Sequence, residues 1–148
     1  MVLKNKLIYI FTDGACRGNP GPGGWGALLK CEEYKKEING FSQLTTNNIM
    51  ELTAVIESLK LIKNSSSIII TTDSTYVKNG INVWIHSWKI RSWKTANKKP
   101  VKNKELWQEL DQLSSIHNIE WKWVRGHTGH FGNERADQLA NDAIDQKS

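Results

Sequence analysis

Runs of apolar residues and the polar breaks between them divide the chain into short extended stretches and longer helical ones. Residues 6 to 12, with an apolar run at their centre, read as a strand. "GNPGPGG" follows, a cluster of turn formers that reads as a tight loop. "WGALLK" and "KKEINGFS" read as second and third strands, so the amino-terminal part predicts an antiparallel meander. "TTNN" then supplies N-cap chemistry. Ile49, Leu52, Val55 or Ile56, Leu59 and Ile62 recur at helical spacing and predict an amphipathic helix to about Lys63. "SSSIIITT" predicts a fourth strand, whose isoleucines and threonines suit burial on both faces. A helical stretch starts at Ser74, and Leu106, Leu110 and Leu113 mark another helix. "IEWKWV" alternates as a fifth strand does, and the loop "RGHTGHFGN" follows it. The last helix runs from about Glu134, with Leu139, Ala140, Ala143 and Ile144 on its apolar face.

The order is βββαβα, then α, β, α. Three strands in hairpin succession followed by helical crossovers imply an α/β fold with a mixed sheet and helices on both faces. A chain of 148 residues makes this one domain. Ligands of such sheets collect beyond the carboxyl ends of strands. Two apolar runs here end alike, "IFTD" at Asp13 and "IITTD" at Asp73. An ionised carboxylate at the edge of a dry core is costly unless something pairs with it. If the two strands are parallel neighbours, the carboxylates sit side by side and repel unless a proton or cation intervenes. Glu51 is a third candidate, in what reads as the first turn of the long helix and on the flank of its apolar stripe. Asp137 is a fourth, in the expected first turn of the last helix.

Oxygen-only ligands suit Mg²⁺ or Mn²⁺. A pair of such ions about 3.5–4 Å apart clamps the attacking and leaving oxygens of an in-line phosphoryl displacement. Each acid also has a plainer job, since Asp caps helices and Glu in a first turn offsets the helix dipole. The joint pattern argues against that, because Ser74 and Thr75 can cap a helix without Asp73, and Asp13 precedes a loop in this reading. His127 stands between two glycines, ten residues before Asp137, which suits a proton carrier near a metal site. His130 reads as an ordinary surface histidine. Other chemistries lack their motifs. The glycine loop has no Gly-Lys-Ser/Thr ending, and no G-x-S-x-G elbow occurs. Cys16 and Cys31 have no C-x-x-C spacing, and with His127 and His130 they fit no zinc pattern.

Charge changes the picture further. The formal net charge is +5, yet the segment from Trp84 to Lys104 alone carries Lys89, Arg91, Lys94, Lys98, Lys99, Lys102 and Lys104 and no acid. The rest of the chain therefore leans acidic. One basic, Trp-rich stripe at about 84–104 on an acid-leaning body is a polyanion contact. Within it Trp88 and Trp93 are the better candidates for packing on sugars and bases, while Trp84 and Trp107 are as well suited to the core. The first apolar run, broken at once by Thr12 and Asp13, is neither a signal peptide nor a membrane span. A cytoplasmic protein with reduced thiols and no membrane partner is expected.

Together "FTDGACRGNPGPGGWGALL", "TTNNIMELTAVIESL", "TTDSTYV", "WKTANKKPVKNKELW" and "WVRGHTGHFGNERADQLA" resemble ribonuclease H of the bacterial type (type 1), in order and over nearly the whole chain. The resemblance implies a mixed five-stranded sheet, its first three strands antiparallel, with helices on both sides. It implies endonucleolytic cleavage of the RNA strand of RNA–DNA hybrids by in-line hydrolysis, leaving 5′-phosphate and 3′-hydroxyl ends. It implies Mg²⁺, or Mn²⁺ in its place, as two ions with substrate bound, held by Asp13, Glu51, Asp73 and Asp137. His127 matches the family's loop histidine, which assists proton transfer or product release. Asn19, Asn47 and Asn48 match hybrid contacts, and Thr46 with Asn19 matches a pocket for a DNA-strand phosphate. The basic segment, with Trp88, Trp93, Lys94, Lys98 and Lys99, matches the family's protruding substrate-binding handle. One departure stands out, since many relatives have Gln where this chain has Thr75, and the shorter side chain loses reach toward the nucleic acid. A single catalytic domain, acting as a monomer and without an extra amino-terminal hybrid-binding domain, is expected. The competing expectations are a hybrid- or duplex-binding module without turnover, and a DNA-directed nuclease of related fold.

Overall fold

The computed structural model describes residues 7–95, 97–125 and 130–147. Strands β1 (Leu7–Cys16), β2 (Gly21–Cys31) and β3 (Tyr34–Thr45) pair antiparallel in succession. Helix α1 (Asn47–Lys60) then crosses to β4 (Ser67–Thr72), which lies parallel to β1. A helical segment follows in three parts: α2 (Thr75–Asn79), a π turn (Gly80–Trp84) and α3 (Ile85–Ile90). Helix α4 (Lys104–Ile116) leads to β5 (Asn118–Trp123), parallel to β4, and α5 (Phe131–Lys147) closes the chain. The sheet order is β3-β2-β1-β4-β5. The expected mixed five-stranded sheet is the one found.

Alternation along β1 assigns the two faces. Ile10 joins Leu52, Val55, Ile56 and Leu59 of α1 and Trp107 and Leu110 of α4 in one core. Phe11, pointing the other way, meets Gly132 of α5. Ala136, Leu139, Ala140, Ala143 and Ile144 bury the apolar face of α5 on that second side. The stretch expected as a loop is mostly strand. Only residues 17–20 turn, and 21–24 already belong to β2. A Cβ at Gly24 or Gly26 would run into the carbonyls of Ala140 or Ala136, so these glycines let α5 approach the sheet backbone closely.

Three boundaries differ from expectation. Strand β1 continues to Cys16, so Asp13 lies inside it, opposite Gly26, rather than at its end. Parallel pairing with β4 stops at Phe11 and Thr71, however, so Asp13 still stands just beyond the shared carboxyl edge of that pair. Helix α1 ends at Lys60 instead of Lys63, and α5 starts at Phe131 instead of Glu134.

The basic segment folds back on itself between α3 and α4. Trp93 N–H donates to the Trp88 carbonyl (2.6 Å), Val101 N–H to the Trp93 carbonyl (3.2 Å), and Lys94 bridges to Pro100. Buried Val101 anchors the loop. Its base is a ring cluster in which Trp88 touches Trp84, Trp93 and Trp107 at centroid distances of 5.9, 6.2 and 5.5 Å. The Tyr76 hydroxyl accepts from Trp107 Nε1 (3.0 Å) and Asn103 Nδ2 (3.1 Å) and ties the cluster to α4.

Candidate active site

Four elements each deliver one acid to the same place. Asp13 comes from β1, Glu51 from α1, Asp73 from the residue after β4, and Asp137 from α5. Asp13 and Glu51 are buried, while Asp73 and Asp137 are half-buried. Asp13, Glu51 and Asp73 each present a carboxylate oxygen within 4.8 Å of the other two. Asp137 joins them through a side-chain hydrogen bond with Asp13.

Local packing explains the approach. A Cβ on Gly14 would sit 2.5 Å from the backbone nitrogen of Glu51, so only glycine lets the start of α1 lie against β1 here. The freed Gly14 N–H also donates to the Glu51 carboxylate. Ser74 serves two helices. Its hydroxyl oxygen accepts from Val77 N–H (3.1 Å) and caps α2, and its side chain hydrogen-bonds the Glu51 carboxylate. Neither Glu51 nor Asp137 lies in a first turn, as the sequence had implied. With helices starting at Asn47 and Phe131, both sit in the second turn, so packing rather than the helix dipole accounts for their position.

The acids perturb one another strongly. Asp13 is pushed up to about 10, by burial first, then by the Glu51 charge, the hydrogen bond with Asp137 and the Asp73 charge. Glu51 is pushed up to about 8, by burial and by the Asp73 charge, with the Gly14 N–H and Ser74 opposing the rise. Among the described residues, Glu51 Oε1 is buried and has no hydrogen-bond partner. A buried acceptor without a donor, amid all-oxygen donors carrying excess negative charge, fits a hard divalent cation. These residues could therefore hold the metal that the motifs imply.

The remaining site candidates fall into three groups. Asn19, Thr46 and Asn47 meet, since Asn19 Oδ1 accepts from Asn47 N–H (3.0 Å) and Thr46 Oγ1 caps α1 by accepting from Ile49 N–H (3.2 Å). Asn48 is the next residue of that turn and is half-buried. Trp88 and Trp93 are half-buried in the ring cluster, so both carry structural packing, Trp88 at its centre. Lys94, Lys98 and Lys99 are exposed on the folded-back loop. His127 lies outside the described residues. Thr75 is exposed beside Asp73 and lines a cleft of about 330 Å³ with Lys78, Trp123 and Arg125. Ser74 caps a helix as the sequence implied, but its contact with Glu51, and the whole role of Gly14, escaped the sequence reading, with adjacency to Asp73 and Asp13 the only signal.

The whole-chain comparisons agree with this geometry. The RNase H family model matches residues 5–145. A ribonuclease H of Pseudomonas fluorescens is 60% identical over 139 residues, covering 94% of this chain and 93% of its own. The chain belongs to the ribonuclease H family. A ribonuclease HI of Neisseria meningitidis serogroup B is 58% identical over 137 residues, with 93% and 94% covered. Among solved structures, LC9-RNase H1, a type 1 RNase H with the type 2 active-site motif, superposes with a TM-score of 0.88 at 34% identity, over 100% of this chain and 76% of that one. LC11-RNase H1, solved in complex with RNA/DNA hybrid, superposes with a TM-score of 0.71 at 25% identity, covering 94% of this chain and 97% of its own. The mixed sheet is thus the ribonuclease H fold, and the protein is an enzyme of that family. Among the described residues, no helix is long and apolar enough to cross a membrane.

Proposed function

We propose that this ribonuclease H cuts the RNA strand of RNA–DNA hybrids endonucleolytically, by in-line hydrolysis that leaves 5′-phosphate and 3′-hydroxyl ends. The observation that carries this is the convergence of Asp13, Glu51 and Asp73, with Asp137 hydrogen-bonded to Asp13 and Glu51 Oε1 buried without a donor among the described residues. The hybrid complex of the similar LC11-RNase H1 supports the substrate class. Asp13, Glu51, Asp73 and Asp137 would hold Mg²⁺, with Mn²⁺ as a substitute, and the bound metal would supply a water of lowered pKa and positive charge at the phosphate.

The other residues bind and orient. Asn19 and Thr46, which meet at the start of α1, face a phosphate of the DNA strand. Asn47 and Asn48 amides, donors and acceptors at once, read 2′-hydroxyls and base edges in the minor groove. Trp88 and Trp93 offer ring edges beside Lys94, Lys98 and Lys99, which neutralise backbone phosphates. His127 carries a proton to the departing 3′ oxygen. The chain acts as a single-domain monomer in the cytoplasm.

The test is cleavage of an end-labelled hybrid with and without Mg²⁺, beside a DNA duplex of the same sequence. Hybrid-only, Mg²⁺-dependent nicking is expected. Binding without nicking would favour a non-catalytic module, and equal cleavage of the DNA duplex would favour a DNA-directed nuclease. His127→Ala should slow turnover by about 10²–10⁴-fold and leave activity measurable, as loss of proton-transfer assistance does. A variant as inactive as Asp73→Asn would require a larger role for His127.

A further inference from the structure

Asp137 is held from behind by a polar relay. Asn141, one turn further along α5, donates from Nδ2 to the Asp137 carbonyl (3.0 Å) and to Asp137 Oδ1 (3.2 Å). Arg17, in the turn between β1 and β2, donates from Nη2 to Asn141 Oδ1 (3.4 Å). Its Nη1 pairs with Asp145 Oδ1 at 2.6 Å, and its backbone N–H closes the turn onto the Pro22 carbonyl (2.8 Å).

The two ends of an asparagine amide are chemically opposite, one an acceptor and the other a donor. A guanidinium at the oxygen end and a carboxylate at the nitrogen end decide which way this amide faces. The bond from Asn141 to the Asp137 carbonyl alone would be an ordinary local contact within a helix. The contact from Arg17 is not local, because 124 residues separate it from Asn141. The relay answers a real demand. Asp137 is half-buried, so its carboxylate has room to swing toward water that the buried Asp13 lacks. A donor on Oδ1 opposes that swing.

Resting on the function proposed above, we infer that Asn141 and Arg17 are positioning residues. Their relay holds the Asp137 carboxylate toward Asp13 and so sets the affinity of the acid cluster for a divalent cation. Partners that orient a metal ligand typically contribute about 10–100-fold in affinity or activity. Arg17, one step further out, contributes less than Asn141 and only through it.

The experiment is calorimetric titration of Mn²⁺ into the substrate-free protein, for the parent, Asn141→Ala, Arg17→Ala and the double variant. Asn141→Ala should weaken Mn²⁺ binding about tenfold, at the low end of that range. Arg17→Ala should weaken it less, and the double variant should match Asn141→Ala. In hybrid cleavage the same variants should need more Mg²⁺ for half-maximal rate, with KM for hybrid unchanged at saturating Mg²⁺. If Asn141→Ala does not fold, Arg17→Ala, a substitution on an exposed turn, still reads the relay. Parental Mn²⁺ affinity in both single variants overturns the inference. So does an Arg17→Ala effect that is equally large without Asn141, because coupled residues cannot act independently. A parent that binds Mn²⁺ through the relay yet leaves hybrid uncut would sink the functional reading and leave the relay standing.

Discussion

Glu51 shows at the scale of one residue how the fold builds a site and leaves it unsatisfied. One part of its carboxylate is held by Gly14 N–H and Ser74, while Oε1 is buried without a donor among the described residues. Asp13 and Glu51 bind protons more tightly folded than unfolded, rising from the ordinary 3.8 and 4.5 to about 10 and about 8. Between those limits the folded state carries the extra protons, so stability falls as pH rises. In EDTA the Tm should therefore decline from about pH 5 to pH 9, and Asp13→Asn should flatten that decline; equal slopes in both proteins would refute it. Asp73→Asn removes the largest charge contribution acting on Glu51 while keeping shape. It should abolish cleavage and still melt higher than the parent in EDTA at pH 8, by on the order of 0.5–2 kcal/mol, since functional sites often sacrifice stability. Mg²⁺ should narrow the gap by binding the folded parent. A lower Tm for Asp73→Asn in EDTA would make the carboxylate a strand-end support of the fold. Asp13 and Asp73 were legible in the sequence because a charge closing an apolar run is conspicuous, whereas Glu51 and Asp137 were named for a first-turn place that the helices do not give them. The contacts of Gly14 and Ser74 with Glu51 were not legible, because an N–H group and a hydroxyl occur in every turn and gain meaning only from what lies opposite.

Elements were legible in order and type, and misjudged where tertiary contact overrides propensity. "GPGG" is strand, although its composition favours a loop, because its backbone lies under close cover: a Cβ at Gly24 would meet the Ala140 carbonyl of α5, and one at Gly23 would meet Thr45 and Met50. Helix α5 begins three residues early for a similar reason. Gly132 fits against the Phe11 ring, and buried Asn133 donates from Nδ2 to the Thr71 carbonyl (3.0 Å), so two weak helix formers are held in helix by the sheet. Gly80 extends the argument to the π turn. A Cβ there would overlap the six-membered ring of Trp107, which is fully buried and bonded to Tyr76. In an unconstrained helix Gly→Ala stabilises by roughly 1 kcal/mol. Here Gly80→Ala should destabilise by about 1–3 kcal/mol, the usual cost of overpacking. Each kcal/mol lowers Tm by about 2–4 °C in a chain of this size. Because the ring cluster supports the basic loop, KM for hybrid should rise as well. A higher Tm for the variant would show that Trp107 yields easily and that the π turn is not built around it.

Across the whole molecule, charge is segregated from chemistry. The acids gather at the carboxyl edge of β1 and β4, while the basic excess sits on the loop between α3 and α4. Hydrogen bonds within the loop fix its backbone on both sides of residue 96. Thr95 N–H donates to the Lys99 carbonyl (2.7 Å), Lys98 N–H to the Thr95 carbonyl (2.9 Å), and Lys99 N–H to Thr95 Oγ1 (3.3 Å). Not every cation is equally available, since Lys89 is paired with Asp111 at 2.8 Å and braces α3 against α4. Lys94, Lys98 and Lys99 pair with no acid among the described residues. Each is therefore able to displace a counterion from a phosphate, and each contact made this way steepens the salt dependence of binding. Charges that grip the backbone act in ground and transition states alike, so they lower KM more than they raise kcat. Replacing Lys94, Lys98 and Lys99 with Ala should accordingly raise KM for hybrid much more than it lowers kcat. The slope of log K against log salt should shrink by up to about 0.9 per lost phosphate contact. Lys89→Ala should leave that slope nearly unchanged and lower Tm slightly, because its charge is already satisfied inside the protein. Hybrid binding measured over a salt series, in EDTA to prevent cleavage, separates the two. An unchanged slope in the triple variant would mean that the basic loop does not touch nucleic acid and that the charge asymmetry serves something else.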